Sequence, residues 1–384
     1  MRMSTARNLA AAWIVVAWGL SCACGQEAAE QPAEAPADGR TVVRVATAQE
    51  LLKAIGPRRV IELAAGRYDL TPLRRTLLPH VRWEEAHDGQ YALIVRKLEG
   101  LTLRGPAATA SAAGVPAPTA EIIVQTPYTF VLSFEQCSEV TLERLKLGHA
   151  RGGYCIGGVV AARDCTSLRL ADCVLYGCGT EGLQLERVKH LEMVRSVIED
   201  CTYGILSASQ CERLVMVECA FRRNVQFHGL DLTDCTHVSL VNCRIHDNVL
   251  GGLKSPLFKT NLTDPTHRMT MQGGEIRDNA AHALTNEPTM LVLKDVKVTG
   301  NSWQVPPEVA ARRGRKTPRD EGGWIYHADL GDSQFHWVAR KVYGHERLDE
   351  ATKLLIEANS TLREPIRPDT RIICPPMGEK KEDG

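Results

Sequence analysis

The segment LRLADCVLYGC, residues 168–178, carries the pattern that decides the fold. Apolar residues stand at its first, third and eighth positions, a small residue at its sixth, and Asn or Cys at its eleventh. The pattern starts again at residues 191, 214, 238, 269 and 291, and a degenerate copy starts at residue 140. Most copies start 22 to 24 residues apart, and two intervals are longer, at 28 and 31 residues. Because apolar residues alternate with period two inside each copy, the pattern predicts short strands.

Copies of this length cannot each bury a core, so they must stack on one another. The arrangement that stacks short strands is a parallel β-helix, whose coils rise about 4.8 Å each. A leucine-rich repeat has a similar period, but these copies lack a helical stretch and the order Leu-x-x-Leu-x-Leu. The sequence therefore predicts a mainly β fold with a parallel β-helix over residues 41–303.

The eleventh position of the pattern becomes a column of side chains when the copies stack. In the last four copies this residue is asparagine, at positions 224, 248, 279 and 301. Asparagine tolerates the left-handed turn conformation, and its amide can hydrogen-bond to the next asparagine in the stack. We therefore expect an asparagine ladder along one turn of the β-helix.

A third strand is expected after each of these turns. It is predicted from segments such as GLQL at 182–185, GLDL at 229–232 and GLKS at 252–255. Because the Leu or Ile of each segment is expected to point inwards, one residue of each coil should face outwards. The residues predicted for this outward column are Gln184, Leu206, Asp231, Lys254 and Thr285.

The start of the repeat region resembles the entry of pectate-lyase-like right-handed β-helix proteins. Thr47 and Glu50 fit the capping box of a short helix, and the strand-like segment IELAAGRYDL follows at residues 61–70. The resemblance covers residues 41–303 and implies a right-handed solenoid. It also implies polysaccharide lyases and glycoside hydrolases as one functional class, although a fold alone does not establish an activity.

Such enzymes need either a carboxylate cluster that binds calcium beside a basic residue, or a pair of carboxylic acids. The outward column offers Asp231 beside Lys254, with His228 on the same strand series, as candidate catalytic residues. An Asp one coil away from a Lys is more often a surface ion pair than a catalytic pair. The sequence has neither the ligand spacing of a metal site nor a cofactor motif, so no metal or cofactor is expected. Catalysis is therefore the less favoured interpretation.

A glycine-rich segment at residues 148–158 interrupts the repeat and contains His149, Arg151 and Tyr154. It can be a ligand-binding loop, or a bulge that lets a longer turn fold back. The sequence does not distinguish these two interpretations.

Ten of the 13 cysteines lie between residues 137 and 243, in register with the repeat. They can fill a narrow interior as thiols. They can also form disulfides, because equivalent Cα atoms of neighbouring coils lie within bridging distance and the protein is expected to be exported. The candidate pairs are Cys137–Cys165, Cys178–Cys201, Cys211–Cys235 and Cys219–Cys243.

Residues 1–23 resemble a bacterial lipoprotein signal peptide. Two arginines precede an uncharged apolar stretch at residues 9–20, which is too short to span a membrane, and the segment SCACG follows. The resemblance implies that Cys24 carries the lipid, with Cys22 as the alternative. It also implies an exported outer-membrane lipoprotein that faces the periplasm or the cell surface.

The amino-acid composition limits the remaining functional and structural classes. Lys plus Arg and Asp plus Glu are both 46, and a nucleic-acid groove would need a strong basic excess, so nucleic acid is not an expected partner. A hydrophobic content of 44% is enough for a large core. Residues 24–40 are rich in Ala, Glu, Pro and Gln and predict a flexible tether.

Beyond residue 303 the repeat ends. Residues 304–323 are Pro-rich and basic and predict a linker, and residues 377–384 form a charged tail. Between them, residues 324–376 predict a strand, two helices and a closing strand. This order resembles a LysM domain, on the motif residues Gly331-Asp332-Ser333, Ala339, Tyr343-Gly344, Asn359, Leu362, Ile366 and the closing segment IICP at 372–375.

The LysM resemblance implies binding of N-acetylglucosamine glycans between the two strand–helix loops. By this resemblance, the residues expected to contact the glycan are Asp332, Ser333, Leu362 and Ile366. The sequence departs from the family at Asp369, where a glycine is usual, and at Gln334-Phe335, where Leu-Trp is usual. The alternative is a small cap without a ligand or an assembly module.

A lipid anchor at one end and a glycan-binding-like module at the other predict a cell-envelope scaffold. We expect a non-catalytic carbohydrate-binding β-helix whose partners are the membrane, through the lipid, and peptidoglycan or another glycan. The alternative is an exported polysaccharide lyase or glycoside hydrolase that acts on the outward strand column.

Overall fold

The computed structural model describes residues 39–73, 76–86, 89–107, 117–126, 128–150, 157–177, 179–262, 264 and 266–378. The predicted lipidation site Cys24 lies outside these residues. The described residues belong to one compact unit, Pro36–Gly384. No helix in this part of the chain is long and apolar enough to cross a membrane.

The chain enters the fold through a strand and helix α1 (Ala48–Ala54). The capping box predicted from the sequence is present, because Thr47 Oγ1 accepts from the Glu50 amide at 3.2 Å and Glu50 Oε2 accepts from the Thr47 amide at 3.2 Å. The helix buries Leu51 and Leu52 against the interior, so that it covers the first coil.

Three sheets run along the molecule, and successive strands of each sheet come from successive coils. The first sheet has ten parallel strands: Thr41–Val45, Arg59–Leu63, Leu101–Arg104, Ser138–Glu143, Thr166–Ala171, Lys189–Val194, Glu212–Val217, Thr236–Val241, Met269–Gln272 and Leu291–Lys294. The second has nine: Gly66–Asp69, Ala120–Val124, Leu145–His149, Val174–Tyr176, Val197–Glu199, Ala220–Arg222, Arg244–His246, Glu275–Arg277 and Lys297–Thr299.

The third sheet has eight strands: Val81–Glu85, Tyr91–Arg96, Leu132–Glu135, Val160–Arg163, Glu181–Glu186, Gly204–Ser209, His228–Thr233 and Phe258–Asn261. Only its first pair is antiparallel. Short strands Val225–Gln226 and Val249–Leu250 pair in the turn before this sheet. Four 3₁₀ turns complete the described part: Thr71–Leu73, Gly252–Lys254, Pro288–Met290 and Ser302–Gln304.

The register confirms the repeat. The predicted starting residues Val140, Leu168, Leu191, Leu214 and Val238 pair directly with one another through the first sheet. Their side chains are buried, since each is at most 2% exposed. The fold of this region is therefore a parallel β-solenoid, and the leucine-rich alternative is excluded.

The asparagine ladder is present. The Nδ2 atoms of Asn224, Asn248 and Asn279 each donate to the Oδ1 of the next asparagine at 2.8–3.0 Å, and the ladder ends on Gln304 Oε1. The conformational reason that we expected is wrong. The left-handed residue is the one before each asparagine, for example Asp247 with φ 58° and Asp278 with φ 53°. Asparagine is therefore favoured at these positions by the hydrogen bonds of its side chain and not by its backbone conformation.

The C-terminal module has its own small core. Strands Trp324–His327 and Arg371–Cys374 are antiparallel, and helices α3 (Phe335–Tyr343) and α4 (Leu348–Ala358) lie between them in the chain. A third strand, Lys316–Pro318, pairs with Trp324–His327. It comes from the stretch that the sequence indicates as linker, where helix α2 (Pro307–Ala310) also lies.

Candidate functional site

The outward column of the third sheet differs from the predicted one. Asp231 pairs on one side with Ser207, which in turn pairs with Gln184, and on the other side with Lys259. Lys254 is not in the column, so the predicted Asp231–Lys254 neighbourhood is wrong. The coil with the 31-residue interval inserts four residues before its third strand and three after it, as the register steps from Gln226–Leu250 through Leu230–Phe258 to Leu240–Met271 show. Lys254 is exposed and ends the 3₁₀ turn Gly252–Lys254 within the first of these insertions.

The assignment of Leu206 to the outward column is also wrong. Leu206 pairs with Leu183 and Leu230 and is fully buried. The glycines of the coils are not equivalent, because Gly204 aligns with Glu181 and not with Gly182. A shift of one residue moves every side chain of a strand to the other face.

Asp231 forms an ion pair on this face. Its carboxylate lies 2.7 Å from the Lys259 ammonium, and the two side chains are 17% and 42% exposed. The partly buried position fixes one carboxylate beside one cation on the outer surface of the third sheet.

A histidine–glutamate pair bridges the strands at the start of this sheet. His228 Nε2 lies 3.5 Å from Glu181 Oε1, although the strand that contains Gly204 runs between them. A Cβ on Gly204 would lie 2.8 Å from His228 Nε2, so the glycine provides the space through which the imidazole reaches Glu181. An imidazole beside a carboxylate can transfer a proton, so this pair has the composition of a general acid–base pair.

An aromatic pair adjoins the His228–Glu181 pair. Tyr203 and Phe227 stack with ring centroids 4.8 Å apart and an interplanar angle of 19°. They directly precede Gly204 and His228 in the chain, and both are half-buried. Apolar ring faces beside polar groups are a common composition for small-molecule sites. We call Glu181, Tyr203, Phe227 and His228 the sheet-three site. Asp231 lies three residues further along the same strand, and its ion pair with Lys259 is separate from this site.

Glu181 and Lys259 were missed by sequence reasoning. The sequence signal for Glu181 was available, because Glu181-Gly182-Leu183 and His228-Gly229-Leu230 have the same form. Lys259 had no such signal, since its register depends on how many residues the preceding turn absorbs.

The interrupted segment does not join this site. His149 ends a strand of the second sheet, is 5% exposed, and its Nε2 donates to the Gly158 carbonyl at 3.0 Å. Burial lowers the pKa of His149, so the imidazole is neutral at pH 7. Arg151 and Tyr154 lie outside the described residues, so the choice between loop and bulge stays a prediction.

The predicted glycan contacts of the module lie where its two loops meet. The Ile366 amide donates to the Ser333 carbonyl at 2.7 Å. Asp332 is fully buried and accepts from the Tyr326 hydroxyl at 2.5 Å and from the Asp329 amide at 2.8 Å. Ser333 and Ile366 are also buried, at 2% exposure each, whereas Leu362 is half-buried. The predicted glycan contact by the side chains of Asp332 and Ser333 is therefore wrong, because both are enclosed by the module itself.

These loops pack against the β-helix. Arg367 Nη2 donates to Asp247 Oδ1 at 3.2 Å and to the Asp278 carbonyl at 2.6 Å. Leu362 and Ile366 line a cleft of about 610 Å³ whose other wall is formed by residues of the β-helix, among them Arg222 and His246. We call this cleft the loop cleft.

Three of the four predicted cysteine pairs are neighbours. Cys137 and Cys165, Cys211 and Cys235, and Cys219 and Cys243 stand at equivalent positions of neighbouring coils, because the residues that follow them pair in register. Their thiols donate to backbone carbonyls, for example Cys137 to Val95 and Cys165 to Phe134, both at 3.5 Å. The nine cysteines within the described residues are buried thiols. Cys178 lies outside these residues, and the amide of its predicted partner Cys201 donates to Asn224 Oδ1 at 3.0 Å. Burial raises the pKa of Cys173 to about 12, so this thiol stays protonated at neutral pH.

Comparison with known proteins supports the fold. Residues 131–302 match the family described as "Right handed beta helix region". With the sheet topology, this identifies the solenoid as a right-handed parallel β-helix. No curated protein sequence matches the chain.

Several solved structures are similar at low identity. The pectin methylesterase from Aspergillus niger is 13% identical, with 84% of this chain and 98% of that chain covered and a TM-score of 0.41. Pectate lyase Pel9A is 11% identical, with 70% and 82% covered and a TM-score of 0.37. The mannuronan C-5 epimerase A-module from Azotobacter vinelandii is 13% identical, with 63% and 87% covered and a TM-score of 0.26. At these identities and scores, the similarity says nothing about the chemistry of this chain.

Proposed function

We propose that this protein is a carbohydrate-binding scaffold of the bacterial cell envelope. In this proposal a lipid on Cys24 anchors it to the outer membrane, and residues 324–376 attach it to peptidoglycan. The β-helix between them presents the sheet-three site to a carbohydrate.

One observation carries the peptidoglycan part of the proposal. The two loops that the LysM resemblance selects come together through the Ser333–Ile366 hydrogen bond, and Leu362 and Ile366 line the loop cleft. A cleft with an apolar patch and several polar groups can take a sugar ring. The strand–helix–helix–strand order of the module supports the same interpretation.

The test is co-sedimentation of the soluble protein, from Gly25 onward, with purified sacculi. We expect the protein to sediment with sacculi, and we expect Leu362→Ala to abolish this binding because it removes an apolar wall of the loop cleft. Ile356→Ala is the matched control, since this aliphatic side chain of α4 is 49% exposed and does not line that cleft. A soluble protein that stays in the supernatant would refute peptidoglycan attachment.

The anchor has its own test. Labelled fatty acid should be incorporated into the wild-type protein in cells and should be lost in Cys24→Ser. If the label is lost in Cys22→Ser and not in Cys24→Ser, Cys22 is the lipidated residue. If the wild-type protein takes up no label, the anchor is refuted.

A second candidate function is a polysaccharide lyase or hydrolase. The His228–Glu181 pair favours it, because an imidazole and a carboxylate side by side can act as acid and base, and the buried His228 Nε2 has no hydrogen-bond partner among the described residues. Under this function, wild-type protein should cleave a polysaccharide, and Glu181→Gln, His228→Gln and Asp231→Asn should lose turnover. Lys254→Ala should keep it, because Lys254 is outside the column. A wild-type protein that cleaves neither acidic nor neutral polysaccharides supports the binding function instead.

Gly204→Ala adds a geometric test of the His228–Glu181 pair. The new Cβ would displace the imidazole and should lower turnover as strongly as Glu181→Gln. Circular dichroism and the unfolding midpoint must show that the β-helix is still folded. Unchanged turnover in a folded Gly204→Ala variant would remove the pair from the mechanism.

A further inference from the structure

A second cleft lies between the β-helix and the other side of the C-terminal module. The turns Gln226–Phe227 and Gly251–Lys254 form one wall, and Leu330, Gly331 and α3 form the opposite wall. Its volume is about 970 Å³, within the range of pockets that hold small organic ligands. We call it the seam cleft. It is separate from the loop cleft, with which it shares no lining residue.

Three aromatic side chains line the seam cleft. Phe227 comes from the β-helix, Trp303 from the 3₁₀ turn at its end, and Trp337 from α3. All three are half-buried, so each keeps part of its ring accessible. Aromatic faces of this kind pack against the apolar faces of ring-shaped ligands. The three rings come from segments far apart in the chain, so only the docked module completes this arrangement.

The cleft also contains a buried amide without a partner. Gln226 is 5% exposed, and its Nε2 has no hydrogen-bond acceptor among the residues that the structure describes. Its backbone has φ 86°, a left-handed conformation that costs free energy for a residue with a side chain. A buried donor without an acceptor is also unfavourable. Both features fit a donor that is kept for a ligand.

The charges around the cleft are mostly positive. Arg313 and Lys341 are neutralised within the protein, by Asp369 at 2.7 Å and Asp332 at 2.6 Å. Lys254 and Arg340 are different, because no carboxylate of the described residues lies within ion-pair distance of either. Arg340 instead lies 5.8 Å from the Trp337 ring centroid and donates to His345 at 3.2 Å. The cleft therefore offers two uncompensated cations beside aromatic walls.

We propose that the seam cleft binds a short acidic saccharide, whose rings stack on Trp337 and Trp303 and whose carboxylates meet Lys254 and Arg340. The Gln226 amide then donates to an oxygen of the same ligand. This inference goes beyond the proposed function, because it assigns a second site, which shares only Phe227 with the sheet-three site, and a charged ligand class.

Binding is tested with the mature full-length protein by calorimetry and tryptophan fluorescence. The probes are a hexuronic acid trisaccharide and its methyl ester, which has the same rings without the charges. We expect the acid to bind, to change tryptophan emission and to weaken with salt. The ester should bind at least tenfold more weakly, which corresponds to about 1.4 kcal/mol. No binding of the acid, or equal binding of both probes, would overturn the proposal.

Variants locate the site. Lys254→Ala and Arg340→Ala should each weaken binding of the acid at least tenfold, and Trp337→Ala should weaken binding and reduce the fluorescence change, because Trp303 remains. Lys53→Ala and Arg268→Ala are matched controls, because both are exposed cations that do not line the cleft. If none of the three cleft variants alters binding of the acid, the saccharide binds elsewhere and the assignment is overturned.

Gln226→Gly separates a ligand role from a structural role. Glycine accepts the positive φ, and the substitution removes the unpartnered amide. We expect weaker binding of the acid without a lower unfolding midpoint. A variant that loses stability and keeps its affinity would show that Gln226 is structural. Sacculus binding by the same variants should be unchanged, so failure of this proposal is distinguishable from failure of peptidoglycan attachment.

Discussion

The β-helix and the C-terminal module satisfy their buried polar groups in different ways. In the β-helix, Asn248 bonds to the same residue type one coil below and one coil above. In the module, the buried carboxylate of Asp332 contacts three different groups, from Tyr326, Asp329 and Lys341. The first arrangement repeats with the sequence, and the second occurs once. A repeated arrangement can be predicted from spacing, whereas a single one depends on which segments meet.

The largest effect is expected inside the ladder. Asn248→Ala removes a buried side chain that donates to Phe221 O at 2.9 Å and to Asn279 Oδ1 at 2.8 Å and accepts from Asn224. Several buried groups lose their partner at once, so we expect a loss of about 3–5 kcal/mol in the free energy of unfolding. Urea denaturation measures it.

Asn261→Ala is the control for the ladder, because Asn261 is exposed at the end of a third-sheet strand. A similar loss in both variants would mean that the ladder has no special role.

A smaller effect is expected at the buried carboxylate of the module. Asp332→Asn removes the charge that pairs with Lys341 and keeps the size of the side chain. Because Lys341 is 45% exposed and can return to solvent, we expect a loss of about 2–3 kcal/mol. Asp329→Asn, at 3.8 Å from the same ammonium and 43% exposed, is the matched control and should change stability by less than about 1 kcal/mol. Equal losses would contradict a special role for the buried carboxylate.

The contact between the two regions is tested by Arg313→Ala. Arg313 is 9% exposed, binds both oxygens of Asp369 and donates to the Ser302 carbonyl at the end of the β-helix. We expect a loss of about 2 kcal/mol and a separate, earlier calorimetric transition for the module. The neighbouring exposed Arg312→Ala should keep a single transition. One unshifted transition in Arg313→Ala would show that the module does not depend on this contact.

The smallest effect concerns acidic pH. Asp247 contacts Arg367 of the module. Burial raises the pKa of Asp247. The hydrogen bond from His246 and the charges of His246, Arg367 and Arg277 lower it by more, so the net pKa is lowered. A carboxyl group with a lowered folded-state pKa stabilises the fold above its unfolded-state pKa, about 3.9, and this contribution is lost as pH falls through the folded-state pKa.

Asp247→Asn should therefore reduce stability at pH 7 but not at pH 2. Because the side chain is 40% exposed, solvent screening keeps the difference below about 1 kcal/mol. Parallel urea titrations at the two pH values measure it, and an equal difference at both would contradict the role of the charge.

Much of the β-helix was predictable, and the reason is its repetition. The positions of Val140, Leu168 and Leu191 follow from spacing alone, because a coil must return to the same place in the stack. The third sheet was predicted less well. The coil before Phe258 is longer, and the sequence does not say whether extra residues enter the turn or the strand. That uncertainty moved the predicted partner of Asp231 from Lys259 to Lys254.

The candidate sites were predictable only in part. His228 and Asp231 were named from the sequence, whereas Glu181 needed the register that places Gly204 between it and His228. The seam cleft had no sequence signal, because its walls come from the β-helix, the turn at Trp303 and α3.

The sequence by itself determined the stacked coils, the asparagine ladder and the cysteine columns, because each of these repeats at the interval of one coil. Only the tertiary structure decided which charges face one another across the third sheet and where the module docks. Those features depend on single contacts between distant residues, such as Arg367 with Asp247, 120 positions apart. The periodicity of the sequence cannot predict such a contact, because the contact occurs once and depends on how both segments fold.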